Sequence, residues 1–268
     1  MLSHGRRRTG RILLLEFDGS NRQRVRKGGE RTMLGLWNLN FYVDDIRATT
    51  RALTARGYRF WSEPVGYDIS RRVGRPVEVV FDGPDGLAIN LVELSGGSPH
   101  SVIGRIRRYY ERHGRTRTGF SPVTTTSHAV RSHARALAFY REVLGMNVLI
   151  DEVLARPETN RFLGRPKNGR TRSTFLQGGH PFGKVALSYP LNYELPDRVA
   201  LAVAPNIGYL AQGFLVESLA EATKACARVD ARIVTPAVTV SLPGLGGHRA
   251  MLVRNPGSGA LMELIEKH

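Results

Sequence analysis

The chain has 268 residues, 41% of them hydrophobic and 23% charged, with 39 Lys and Arg against 23 Asp and Glu for a formal net charge of +16. That length can bury one large or two ordinary cores, and the composition excludes a disordered chain. No apolar run approaches the ~20 residues that cross a bilayer, and the single cysteine, Cys226, excludes a disulfide framework or a cysteine metal cluster.

In chain order, Arg6-Arg7-Arg8 before Ile12-Leu13-Leu14-Leu15 has the charge order of a secretory signal. Glu16 and Asp18 end the apolar run after four residues, and no small-residue cleavage site follows, so a cytoplasmic protein is expected. The basic residues are mostly arginines spread along the chain. Two denser clusters, Arg6 to Lys27 and Arg105 to Arg117, fall in no recognisable nucleic-acid module. They read as a solvated basic surface and a basic linker, and nucleic acid is not the expected partner.

One unit then recurs three times: a short strand, an amphipathic helix, and further strands. The first copy runs from Leu36-Trp37-Asn38-Leu39-Asn40-Phe41-Tyr42-Val43 into a helix through Ala48, Ala52 and Leu53 to Gly57, then Tyr58-Arg59-Phe60-Trp61. The second opens with Thr125-Thr126-Ser127-His128-Ala129-Val130. Its helix places Leu137, Tyr140 and Leu144 on one stripe and stops at Gly145, before Met146-Asn147-Val148-Leu149-Ile150. The third opens with Ala211-Gln212-Gly213-Phe214-Leu215-Val216. Its helix carries Leu219, Ala222, Cys226 and Val229 at the spacing of a buried face, before Ala231-Arg232-Ile233-Val234.

The closing segments match as well. Val79 to Leu91 and Met251 to Leu264 each place a Pro/Gly turn between two apolar runs, the pattern of a hairpin. The second copy closes less regularly, through Ser173-Thr174-Phe175-Leu176, a turn at Gly178-Gly179, and Lys184 to Tyr189. The repeat is β-α-β-β-β, at about 36–95, 121–192 and 207–266.

Ala136-Leu137-Ala138-Phe139-Tyr140-Arg141-Glu142-Val143-Leu144-Gly145-Met146, and Asp82-Gly83-Pro84-Asp85-Gly86 before a final strand, resemble the vicinal oxygen chelate superfamily. Glyoxalase I, extradiol dioxygenases and the bleomycin and fosfomycin resistance proteins belong to it. The resemblance covers nearly all of the chain after residue 35. It implies an α+β fold in which βαβββ modules pair into cupped, incompletely closed mixed β-barrels with helices outside. It also implies a divalent metal inside each cup, held by a histidine or glutamine in each first strand and a glutamate in each last strand. Such an ion polarises vicinal oxygens of a substrate. A fold of this kind hosts many reactions, so the resemblance speaks less to activity.

Counted along the family's opening strand, the ligand positions carry Asn38, Thr125 and Ala211, and in the closing strands Asn90, Ala186 and Glu263. The second and third modules are expected to pair as residues 121–268, giving a cup of Thr125, Ala186, Ala211 and Glu263. One carboxylate with two alanines and a hydroxyl cannot hold a divalent ion, so no metal residue is assigned and no cofactor is expected. A shifted site of His128, His248 and Glu263 would need a β-bulge to turn His128 inward; a strand residue and a turn residue are the expected roles of the two histidines. Glu263 is the expected catalytic residue, a lone carboxylate in an apolar cup acting as general acid or base. Asn38, Asn90, Thr125, Ser127, Ala186, Ala211 and His248 are the expected pocket residues.

Three modules cannot all pair. Residues 1–35 read as the closing strand of a preceding module (Gly10 to Gly19) and a basic linker, residues 36–95 as the first module, and 96–120 as a second basic linker. Either the chain starts inside a four-module protein, or the first module pairs with its equivalent in a second chain as a homodimer. Gly257-Ser258-Gly259 is no nucleophile elbow, and Gly244-Leu245-Gly246-Gly247 reads as a flexible turn. The expected function is binding of a small organic molecule, neutral or anionic, in the cup without the usual metal. The rivals are a lyase or dioxygenase with a rearranged metal site, and a sequestering protein of the resistance type.

Overall fold

The computed structural model describes residues 9–19, 23–27, 29–242 and 246–267; Arg6-Arg7-Arg8, Gly244 and Leu245 lie outside them. Three βαβββ modules follow one another. The first is β1 (Gly35–Tyr42), α1 (Ile46–Thr54), β2 (Val65–Gly66), β3 (Arg75–Asp82) and β4 (Ala88–Gly96). A bridging helix, α2 (Val102–His113), leads to β5 (Thr125–Ala129), α3 (His133–Ala138), β6 (Asn147–Leu154), α4 (Pro157–Leu163), β7 (Thr171–Gln177) and β8 (Lys184–Pro190). The third is β9 (Ala211–Val216), α5 (Leu219–Arg228), β10 (Ile233–Leu242), β11 (Gly246–Arg254) and β12 (Leu261–Glu266).

The same local chemistry starts each module helix. Asp45, Ser132 and Ser218 each leave the strand in extended backbone, and each side chain accepts from the backbone N–H three residues on. That is the N-cap a strand-to-helix turn requires. The second helix closes in a π-helical turn over Phe139–Val143 that keeps both Phe139 and Tyr140 buried, and Gly145 ends it with φ of 62°. In every module the first and last strands lie side by side and parallel: β1 with β4, β5 with β8, β9 with β12. The repeat seen in the sequence is therefore a repeat of topology.

The pairing differs from the sequence expectation. The first and second modules join, through antiparallel β1 and β5, into one eight-stranded sheet of order β2-β3-β4-β1-β5-β8-β7-β6. The third forms a separate four-stranded sheet, β10-β11-β12-β9. So the expected partnership of modules two and three as one barrel is replaced by that of one and two. The first module is not left to pair with a second chain. The third instead packs its helix side against the outside of the second, in a core shared by Phe139, Tyr140, Leu187, Leu219, Met262 and Leu264.

Main chain ties the two together: the carbonyl of Gly257 accepts from the backbone N–H groups of Arg131 and Ser132, at 2.8 and 3.0 Å. A Cβ at 257 would stand 2.5 Å from that of Ala136.

Two further expectations change. Tyr58-Arg59-Phe60-Trp61 forms only a bridge between Phe60 and Phe81, and the second strand of the first module shrinks to Val65–Gly66. Gly10 to Gly19 contains no named strand, and Leu14 and Leu15 are exposed. The segment after it is more than a linker: Val25, Arg26, Met33 and Leu34 are buried. Arg26 donates to the Gly86 carbonyl at 2.5 Å and to Asp82, and its guanidinium lies over the Trp61 ring.

The basic segment 96–120 likewise holds a helix, α2. It buries Val102, Ile103 and Tyr110, while Arg105, Arg107 and Arg108 cap nearby backbone carbonyls. No helix among the described residues is long and apolar enough to cross a membrane.

Candidate functional site

The concave face of the eight-stranded sheet encloses a cavity of about 80 Å³, room for several waters or a small organic molecule. Trp37, Tyr42, Ile69, Val92, Phe162 and Phe175 supply apolar walls, and Ile103 and Ile106 of α2 close one side. Strand register sets the polar groups. Asn90, Asn40, Thr125 and Lys184 lie in one row across the four central strands β4, β1, β5 and β8. Because side chains alternate along a strand, residues two positions on share the face: Val92 and Tyr42, Ser127 and Ala186.

Three acidic or basic side chains face this space, and the sequence reading assigned none of them to a site. Glu78, on β3, has both oxygens engaged: Tyr67 Oη donates to Oε1 at 2.7 Å and Asn90 Nδ2 to Oε2 at 2.6 Å. Glu78 keeps some accessible surface because it borders the cavity, yet burial still raises its carboxyl above the ordinary range, and the two hydrogen bonds only partly offset this.

Lys184, at the start of β8, is 1% exposed. Its ammonium donates to the Pro181 carbonyl and lies over the rings of Tyr42 and Phe182, and burial lowers it to about 7. Arg165 follows α4 and is 8% exposed. Its Nη2 donates to Ser188 Oγ at 3.3 Å, while Nε and Nη1 have no partner. The Oδ1 atoms of Asn40 and Asn90 are unpartnered too.

Of the residues expected from sequence, Asn90, Thr125, Ser127 and Ala186 line the cavity. Asn38 is buried beside it, its Oδ1 accepting from the Ser127 N–H at 3.0 Å. Asn40, not Asn38, stands opposite Asn90 in the register and lines the cavity. Ala211, His248 and Glu263 are all on the third module's sheet, outside the cup.

Glu263 lies in register with Gly213 and Leu252 there; burial raises its carboxyl, but it borders no cup. His248 Nδ1 meets the Glu266 carbonyl at 3.2 Å. His128 is fully buried, with Nδ1 2.8 Å from Tyr140 Oη and Nε2 2.6 Å from Ser258 Oγ, and burial lowers it to about 3. It is a core residue at the joint between the second and third modules.

The order of strands, with an eight-stranded sheet curled around a cleft between two βαβββ modules, decides the architecture. This is a vicinal oxygen chelate fold. Structural comparison agrees: glyoxalase I from Zea mays superposes with a TM-score of 0.53 at 15% identity, over 87% of this chain and 68% of that one. A variant of the same enzyme gives 0.54 over the same shares. A glyoxalase family protein from Bacillus cereus is 21% identical over 54% of this chain and 92% of that one, with a TM-score of 0.47. No family model and no curated protein matches the sequence.

In a vicinal oxygen chelate cup the metal ligands would come from the central strands, where this chain has Asn90, Asn40, Thr125, Lys184 and Ala186. Two amides, a hydroxyl, an ammonium and a methyl make a poor set for a divalent ion, which prefers imidazole and carboxylate. Among the described residues no group of three or more His, Cys, Asp and Glu converges. Glu78, the carboxylate in the cup, already accepts two hydrogen bonds, and Lys184 and Arg165 add positive charge. The residues present do not fit the family's metal.

Proposed function

We propose that this chain binds a small organic molecule in the cup between its first and second modules, without a divalent metal held as the family holds one. The observation that carries this reading is the polar row Asn90-Asn40-Thr125-Lys184 on the floor of an otherwise apolar cavity. Small-molecule sites have this constitution: a concave apolar wall with a few convergent polar groups.

Glu78 is the side chain placed to move a proton. Its raised carboxyl and its clamp by Tyr67 and Asn90 suit general acid–base chemistry on a bound ligand. The role the sequence reading gave Glu263 passes to Glu78. Metal-dependent lyase or dioxygenase chemistry has no fitting donor set here, and a sequestering role would use the same cavity without Glu78.

Plasma mass spectrometry of the purified protein tests the reading. Sub-stoichiometric transition metal in both the wild type and Glu78→Gln is the expected result. Metal near one per chain that drops in the variant would overturn it.

A further inference from the structure

Arg165 is the least satisfied charged group facing the cup. It follows the left-handed Gly164 that ends α4, and its backbone N–H is fixed to the Asn160 carbonyl at 2.8 Å, so its stem is anchored. Its side chain is more than nine-tenths buried, lines the cavity, and leaves Nε and Nη1 unpaired. No ion pair among the described residues joins it to a carboxylate; Glu78, the acid in the same cup, has both oxygens committed to Tyr67 and Asn90.

A guanidinium cannot shed its charge at neutral pH, and Glu78 acts on Arg165 only through space, with its own oxygens taken and its carboxyl raised by burial, so the charge is only partly compensated. Such a group persists where something else neutralises it. The surrounding walls, Phe162, Phe175 and Ile69, call for a hydrocarbon body on whatever brings that negative charge.

We propose that the ligand of this cup is a small organic acid whose carboxylate pairs with the unpaired N–H donors of Arg165, its apolar part lying against Phe162 and Phe175. This rests on the cup reading above and adds the chemical class of the ligand. The planar guanidinium matches a carboxylate in shape and charge, and the Lys184 amine on the floor of the cup offers a second donor. The hydroxyl of Ser188, already held by Nη2, fixes which way the fork faces.

The test is calorimetric titration of the full chain with benzoate, phenylacetate and 4-methylpentanoate, each beside its neutral amide. At least one acid is expected to bind, with its amide at least about tenfold weaker. Arg165→Gln should weaken that acid by about thirtyfold or more, leave the amide unchanged, and hold or raise the unliganded protein's denaturation midpoint, since it removes a buried charge with two unpaired donor groups. Arg165→Lys, which keeps the charge and loses the fork, should still weaken the acid.

Acid and amide binding equally, Arg165→Gln binding the acid as the wild type does, or none of the acids binding, would each overturn the proposal. Leu149→Trp, which fills the cavity from its rim, separates the two readings. Amide binding that Leu149→Trp abolishes leaves the cup standing without the acid. Binding that survives Leu149→Trp lies elsewhere, and the cup itself is wrong.

Discussion

The second and third modules are built alike and used differently. Both run strand, capped helix, strand, strand, strand, with the first and last strands parallel. The second closes onto the first through β5 and β1, and its inner face becomes the wall of a cavity holding Lys184, Thr125, Ser127 and Ser188. The third has no sheet continuing from β9 among the described residues, and turns its helix side to the second module. Glu263 occupies in the third module the place of a last-strand ligand, but it faces no opposing module. A site in this fold thus belongs to a pair of modules, and a residue type in the right strand does nothing without the partner strand across from it.

Substitutions can sharpen that contrast. The largest effect is expected from Phe162→Ala, which empties a fully buried ring from the wall of the cup, against Tyr67. Losses of about 3–5 kcal/mol are typical of such truncations, and urea denaturation should read a lower midpoint, with ligand binding lost alongside.

Next comes the pH dependence of the cup. The Lys184 amine is at about 7 folded against an ordinary 10.5, so between those values the unfolded chain holds a proton that the folded chain has released. Stability should therefore rise with pH across that window, by at most ~1.4 kcal/mol per pH unit, and Lys184→Met should flatten the rise. Denaturation midpoints at pH 7, 8 and 9 would show it, and an unchanged slope in the variant would place the amine in contact with solvent.

Glu78 works in the opposite sense. Its folded carboxyl sits above the ordinary 4.5, so the folded chain binds the proton more tightly and stability falls as pH rises through that range. His128, about 3 folded against 6.5, raises stability over part of the same range. The difference between wild type and Glu78→Gln isolates the carboxylate: the variant should lose less stability on going from pH 4.5 upward.

The smallest effect is expected from Glu263→Gln. At this partly buried position away from the cup the change should stay within about 0.5 kcal/mol of the wild type and leave titrations of the acid panel unaltered. A loss of binding there would move the site to the third module.

The repeat itself was legible: helix stripes and the Pro/Gly hairpin turns are local signals, and with the family resemblance they gave three modules and the class of fold. The partnership was not. It depends on β1 meeting β5, an edge-to-edge choice between strands about 90 residues apart in register, such as Asn40 opposite Thr125, and no local pattern encodes it.

From that error followed the misplacement of Ala211, His248 and Glu263. Glu78 did leave a trace, as one charge inside the apolar run Pro76 to Phe81. Arg165, after a helix and among prolines and glycines, looked like any loop arginine, and only its burial sets it apart.

The turn at Gly257 has a consequence for how such a chain can change. There the third module meets the second main chain to main chain, carbonyl to the amides of Arg131 and Ser132, with Ala136 pressed close and His128 bonded to Ser258 beside it. A weld of main chain to main chain is blind to side-chain identity. Those two bonds survive a change of side chain at Arg131 or Ser132, whereas one added methyl at position 257 would push the two modules apart.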